Sequence, residues 1–226
     1  MKEHDPYGII AGNLEERCRI INEAEFHRAS VLIPFIRVKD EWHILLERRA
    51  DHIRQGGEVS LPGGGMEKGD RSSADTALRE TEEELGLTPD KIELAGFLGT
   101  FVGTMGVLID AYVGRLLVDR YTELPFNREE VEDLFIVPFR FFLETEPDTY
   151  TAETLVRSVS YNEDGSERIL FPAKELGLPE RYHNAWNTKP HLIYVYPTTP
   201  YTLWGITAKI LRHIADWYKN LTAQDG

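Results

Sequence analysis

The sequence predicts an α/β fold in which a mixed β-sheet lies between helices. Three observations carry this. Short apolar segments occur both as hairpin pairs and singly between helical segments. Two stretches, 72–85 and 202–221, place apolar residues at helical spacing, so each can cover one face of a sheet. Asp164-Gly165, between two strand-like runs, is a strong hairpin signal. The reading is a single domain over residues 1–226, with the region of about 145–190 as a lid or insertion.

The elements follow in order. Residues 13–26 read as a helix, with Asn13 and Glu16 as a capping box and Leu14, Cys18 and Ile21 on one face. "SVLIPFIRV" (30–38) is a strand, and Pro34 marks it as an edge or a bulge. Lys39-Asp40-Glu41 turns the chain into a second strand over 42–47. "GEVSLPGGG" is a short strand running into a glycine loop. Ser72 caps a helix that ends at Leu85 before Gly86. Strands follow near 92–102 and 106–118, then a strand and a helical turn over 130–143. Residues 154–161 and 167–171 flank the Asp164-Gly165 turn. "HLIYVYP" (191–197) is a strand, and 202–221 is a closing helix.

Composition bounds the function. The 226 residues are 42% apolar, which is ordinary for a globular chain. No apolar run approaches the roughly 18–20 residues of a membrane span. The N-terminal stretch lacks the apolar core of a signal peptide. One cysteine, Cys18, excludes an intrachain disulfide and most thiolate metal sites. These features favour the cytoplasm, with a bacterial or organelle matrix equally open. Lys and Arg total 25 against 38 Asp and Glu, a net charge of −13. That disfavours nucleic acid and anionic membranes as partners. An anionic small substrate would need local arginines or a divalent cation.

The chemistry concentrates in "RETEEELGL" (79–87). On a helix, Glu80, Glu83 and Glu84 lie at i, i+3 and i+4 and point the same general way. Converging carboxylates suit a hard dication such as Mg²⁺ or Mn²⁺. Upstream, Leu61-Pro62-Gly63-Gly64-Gly65 allows close approach of backbone to a ligand. Its carbonyls can complete a metal shell, and its amides can meet phosphate. Taken alone, E-x-x-E-E also fits a solvated acidic helix face.

The larger pattern resembles the box of the Nudix hydrolases, G-x5-E-x7-R-E-U-x-E-E-x-G-U, over residues 64–87. Gly64, Arg79-Glu80, Glu83-Glu84, Gly86 and Leu87 match, while Thr81 stands at an aliphatic position. Asp70 replaces the first glutamate, and eight residues rather than seven separate it from Arg79. This reads as a one-residue loop insertion, with Asp70 the partner of Arg79. The coenzyme A pyrophosphatase branch carries this longer loop and an Arg-rich segment ahead of it. "LLERRADHIRQGGEVSLPGG" (45–64), "NREEVEDLFIVPF" (127–139) and "LWGITAKIL" (203–211) resemble that branch. Leu61 replaces its usual Phe, and Arg54-x2-Gly57 is one residue short of its commonest spacing.

The resemblance implies a Nudix-like α/β/α sandwich. It implies Glu80, Glu83, Glu84 and the Gly64 carbonyl as metal ligands, with Mg²⁺ or Mn²⁺ as cofactor. Glu80 is a ligand or the base that deprotonates water. Glu80, Glu83 and Arg79 form the catalytic group, with Arg79 orienting carboxylates. Arg48, Arg49 and Arg54 would hold the diphosphate or the 3′-phosphate, and Glu130 is a candidate further acid. The implied reaction is hydrolysis of coenzyme A or acyl-coenzyme A to 3′,5′-ADP and the (acyl-)4′-phosphopantetheine. Two alternatives stand beside it. One is a Nudix pyrophosphatase for ADP-ribose, dinucleotides or nucleoside triphosphates. The other is a module that senses a nucleotide without cutting it. The isopentenyl diphosphate isomerase branch needs a catalytic cysteine, and Cys18 is poorly placed for that role. The partners implied are a small nucleotide diphosphate and, as one reading of 145–190, a second copy in a homodimer.

Overall fold

The structure, a computed structural model, describes residues 5–12, 22–104, 106–187, 190–198 and 200–224. The chain divides into two compact units. One comprises residues 1–148 and 194–226, the other residues 149–193. Most of the expected helix over 13–26, with Cys18, lies outside the described residues. Its end is a single 3₁₀ turn, Glu23–Glu25.

The larger unit is a sheet of seven strands. They are β1 (His27–Val38), β2 (Glu41–Arg49), β3 (Val59–Ser60), β4 (Gly63–Gly65), β5 (Ile92–Gly103), β6 (Val107–Leu116) and β7 (Val131–Pro138). Its helices are α1 (Pro6–Ala11), α2 (Ser73–Leu85), α3 (Phe139–Glu144) and α4 (Gly205–Gln224). β1 pairs parallel with β6, while the β1–β2, β2–β7 and β5–β6 pairs are antiparallel. The sheet is therefore mixed, as expected.

Pro34 does not mark an edge, because β1 runs between β6 on one side and β2 and β4 on the other. The β1–β2 ladder runs from Val38↔Glu41 to Phe35↔Ile44 and stops there. The Leu32 amide donates to Pro62 O on that side at 2.9 Å. Strand parity turns the Pro34 nitrogen the same way, with no N–H to carry the ladder on. The two strands part at Pro34. β3 and β4 fill the gap, β3 on β2 (Glu47↔Ser60) and β4 on β1 (Ser30↔Gly64). The glycine loop is thus wedged into the sheet. A Cβ on Gly63, whose φ is 153°, would lie 2.2 Å from Ser30 O.

Period-2 alternation sorts the strands onto two cores. Ile33, Phe35, Ile44, Leu46 and Val113 face α4, where Leu211 and Ile214 meet them. Leu32, Leu45 and Tyr112 face α2, where Ala77 and Leu85 meet them. Both faces are covered, so β2 is buried from Trp42 to Glu47 without a visible alternation. Ser72 caps α2 by accepting from the Asp75 amide at 3.2 Å. Gly86, at φ 67°, ends it. The buried Thr81 hydroxyl is satisfied within the helix by donating to Ala77 O at 2.7 Å. α4 starts later than the sequence suggests. Leu203-Trp204 forms a short strand against Val195-Tyr196, and Gly205 turns at φ 67° into the helix.

In the smaller unit, Val159–Tyr161 and Glu167–Ile169 form an antiparallel hairpin that turns through Gly165 at φ 81°. Leu155–Val156 pairs with Trp186–Asn187. Among the described residues, no helix of the chain is long and apolar enough to cross a membrane.

Candidate active site

The wedge of β3 and β4 lies beside the C-terminal half of α2. A Cβ added to Gly64 would sit 2.4 Å from the Glu80 carboxyl carbon, so the absence of a side chain there admits Glu80. The Gly63 amide donates to Glu84 Oε2 at 2.7 Å. Backbone approach to the carboxylates is the use to which this glycine loop is put.

Arg79 is the hub on the outer side. Its Nε and Nη2 reach the two oxygens of Asp70 at 3.1 and 3.2 Å. Nη1 donates to Glu83 Oε2 at 3.0 Å, and Nη2 also reaches Gly65 O at 3.0 Å and Glu80 Oε1 at 2.9 Å. Asp70 also accepts from the Glu67 amide and the Thr76 hydroxyl, each at 2.9 Å. The Arg79 bond, with the Glu67 and Thr76 donors, holds the Asp70 carboxyl well below the usual carboxylate range. The inserted residue leaves this bidentate pair intact.

The three box glutamates do not face one point. At 100° per residue, Glu83 and Glu84 diverge on the helix. Glu84 turns toward the sheet and is 2% exposed, whereas the Glu83 side chain is about half exposed. Among the described residues, no three acidic, histidine or cysteine side chains close around a common position as they stand. Glu80 and Glu83 are engaged by Arg79, and Glu84 by the Gly63 amide.

A residue outside the motif joins them. Glu47 of β2 is fully buried. Its Oε1 accepts from the Ser60 hydroxyl at 2.8 Å, while its Oε2 has no hydrogen-bond partner among the described residues. Arg49 Nη1 stands 3.9 Å from Glu47 Oε1 and 3.8 Å from Glu84 Oε1. Burial pushes the Glu47 carboxyl up to about 7, with Ser60 and Arg49 opposing and the charges of Glu130 and Glu80 adding. Burial and then the Glu47 charge push Glu84 up to about 10 against the Gly63 amide and Arg49. Glu80 is raised by burial, partly offset by Arg79. Glu130 is half-buried, accepts from Asn127 Nδ2 at 3.3 Å, and repels Glu47 and Glu80.

The remaining arginines separate. Arg48 donates to Asp51 Oδ1 at 2.7 Å and lies over the Tyr201 ring, 5.4 Å from its centroid. Arg54 is exposed, and only its carbonyl meets Arg49, at 3.4 Å from Nε. Of the three, Arg49 is the one beside the buried glutamates.

Carboxylates therefore outnumber guanidiniums here, and burial raises Glu47, Glu80 and Glu84 by more than Arg49 and Arg79 offset. Oxygen donors of this kind, with an unsatisfied buried oxygen among them, fit a hard dication. Sequence reasoning passed over Glu47. The signal was its parity with Leu45, which puts it on the α2 face.

Comparison with known proteins identifies the family. The NUDIX domain family model matches residues 26–158. "Uncharacterized Nudix hydrolase NudL" from Yersinia pestis (strain Pestoides F) is 31% identical over 191 residues, covering 83% of this chain and 78% of that protein. Its counterpart in Yersinia pseudotuberculosis serotype O:3 (strain YPIII) aligns with the same values. Among solved structures, the Nudix hydrolase RenU from M. smegmatis aligns at TM-score 0.43 and 21% identity, covering 51% of this chain and 72% of that one.

Proposed function

The chain belongs to the NUDIX domain family and is a pyrophosphohydrolase, and from that premise we propose that it cuts the diphosphate of coenzyme A or acyl-coenzyme A. The observation that carries the chemistry is the buried carboxylate cluster beside the wedged glycine loop. Glu83, Glu84, Glu80 and the Gly64 carbonyl would hold Mg²⁺ or Mn²⁺, which when bound supplies charge neutralisation and a more acidic water. Asp70 fixes Arg79, and Arg79 fixes Glu80 and Glu83. That arrangement keeps the helix carboxylates oriented while substrate enters.

Water adds to one phosphorus, the P–O bond of the anhydride breaks, and each product leaves with one phosphate of the former diphosphate. From coenzyme A these products are 3′,5′-ADP and 4′-phosphopantetheine. Glu80, whose pKa is raised by burial, is suited to take the proton of the attacking water. Arg49 lies where it can turn from the glutamates to a phosphate oxygen. The coenzyme A assignment is supported by the segments 45–64, 127–139 and 203–211. Their residues line up along β2, β3, β7 and the start of α4 in one unit. The single cysteine supports a cytoplasmic location.

The short Arg54-x2-Gly57 spacing favours a second reading, a pyrophosphatase for ADP-ribose, dinucleotides or nucleoside triphosphates. Hydrolysis of coenzyme A, acyl-coenzyme A, ADP-ribose, NADH, diadenosine polyphosphates and nucleoside triphosphates, compared as kcat/KM with Mg²⁺ and Mn²⁺, separates the two. Highest kcat/KM for a coenzyme A compound is expected. A clear preference for any other class refutes the assignment.

A further inference from the structure

We propose that Glu47 is an additional ligand of the metal centre, supplied by β2 from outside the glutamate motif and aimed by Ser60. The inference rests on the metal-dependent reading above. Its basis is a comparison of two carboxylates that are equally buried on strands of the same sheet. Asp110 on β6 is 1% exposed, and both of its oxygens are satisfied, Oδ1 by the Thr100 hydroxyl at 2.7 Å and Oδ2 by Arg28 Nη2 at 2.6 Å. Its role is structural, a closed network of the kind that buried polar groups require. Glu47 is 0% exposed, and its Oε2 has no partner among the described residues. Leaving a buried polar oxygen in that state is costly, and the chain would avoid it with an apolar residue unless the oxygen had a use.

The direction of the side chain says what the use is. Glu47 shares its parity with Leu45, whose side chain packs in the core beneath α2. Glu84 descends from α2 on the same side, and one arginine nitrogen, Arg49 Nη1, lies within 4 Å of both carboxylates. The β2–β3 register sets Glu47 opposite Ser60, and the Ser60 hydroxyl holds Oε1. That bond fixes the carboxylate with Oε2 free. An arginine placed only to neutralise Glu47 would form a bidentate pair at hydrogen-bond distance. Arg49 instead stands at 3.9 Å from one oxygen. The arrangement is a presented oxygen rather than a finished ion pair.

The test is direct Mn²⁺ binding, followed by electron paramagnetic resonance and by calorimetry, on the full chain. Proteins compared are the unsubstituted one, Glu47→Gln, Glu47→Asp, Ser60→Ala and, as control, the exposed Glu82→Gln. Circular dichroism reports whether each is folded. Glu47→Gln is expected to weaken Mn²⁺ binding at least ~10-fold or to remove one bound ion, and Ser60→Ala to weaken it less. Glu82→Gln is expected to bind as the unsubstituted protein does. If Glu47→Gln does not fold, Glu47→Asp carries the test, because it keeps the charge and withdraws the oxygen. Equal affinity and stoichiometry in the folded Glu47 variant and the unsubstituted protein overturn this proposal alone. No Mn²⁺ binding by the unsubstituted protein overturns the metal-dependent reading and this proposal with it.

Discussion

Replacing Glu84 by Gln should make the metal-free protein more stable at alkaline pH, and the size of the gain follows from its burial. The Glu84 carboxyl is moved from an ordinary 4.5 up to about 10 by burial and by the Glu47 charge. An acid whose folded pKa is raised keeps in the folded state a proton that the unfolded chain has released. Its presence therefore costs nothing below the unfolded value and costs progressively more as pH rises toward the folded one. Between pH 5 and pH 8 the slope of ~1.4 kcal/mol per unit gives an upper value of about 4 kcal/mol. Sharing of the burden with Glu47 brings the expected loss to about 2–4 kcal/mol. The Glu84→Gln substitution removes the titration and keeps an oxygen for the Gly63 amide. Thermal melts in EDTA at pH 5 and pH 8 measure this. The unsubstituted protein should lose roughly 5–15 °C between them. Glu84→Gln should lose less, keeping the part that the raised Glu47 carboxyl contributes, and melt higher at pH 8. Parallel pH slopes for the two proteins, or a Glu84→Gln protein less stable at pH 8, would refute the buried, charge-deficient cluster.

Other outcomes follow from the same geometry. Glu83→Gln should lower turnover at least ~100-fold with an unchanged circular dichroism spectrum, and near-normal turnover would remove Glu83 from the centre. In Gly64→Ala the new methyl meets the movable Glu80 carboxyl, so turnover should fall by about 100-fold with a stability loss under ~1 kcal/mol. Gly63→Ala meets the Ser30 backbone at φ 153° and should cost more than about 3 kcal/mol in urea melts. Asp70→Asn should cost about 1–3 kcal/mol at pH 7. Because the Asp70 pKa is lowered in the fold, that difference should close as pH falls below the usual carboxylate range.

Local signals were the legible part of the fold. The Lys39-Asp40 turn, the Ser72 cap, the Gly86 stop and the Asp164-Gly165 hairpin each depend on one or two residues and their neighbours. Pro34 misled because edge status is a property of the sheet, not of the strand. The missing N–H indeed ends a ladder, but the vacated side is filled by β3 and β4 rather than by solvent. The late start of α4 has the same origin. Leu203 and Trp204 carry residue types that suit either element, and pairing with Val195 and Tyr196 decides between them.

The site was legible where its members share a helix and obscure where they do not. Asp70–Arg79 and the box glutamates stand in one motif, and the bidentate pair forms despite the extra residue. Glu47 closes the apolar run "WHILLE", and such a run buried on both faces hides the alternation that would assign it to the α2 side. Arg49 illustrates how position changes meaning. Read as a phosphate ligand, it lies beside Glu47 and Glu84 instead, held at 3.8–3.9 Å through single oxygens. Contacts that long restrain a guanidinium weakly, and the one further bond, from Nε to Arg54 O, is long at 3.4 Å, so turning toward a phosphate costs little once positive charge reaches the carboxylates. Arg48, by contrast, is tied to Asp51 at 2.7 Å and stacked on Tyr201, and any swing toward substrate must first break both. Of the two adjacent arginines, Arg49 is therefore the one whose replacement should alter substrate binding and metal affinity together.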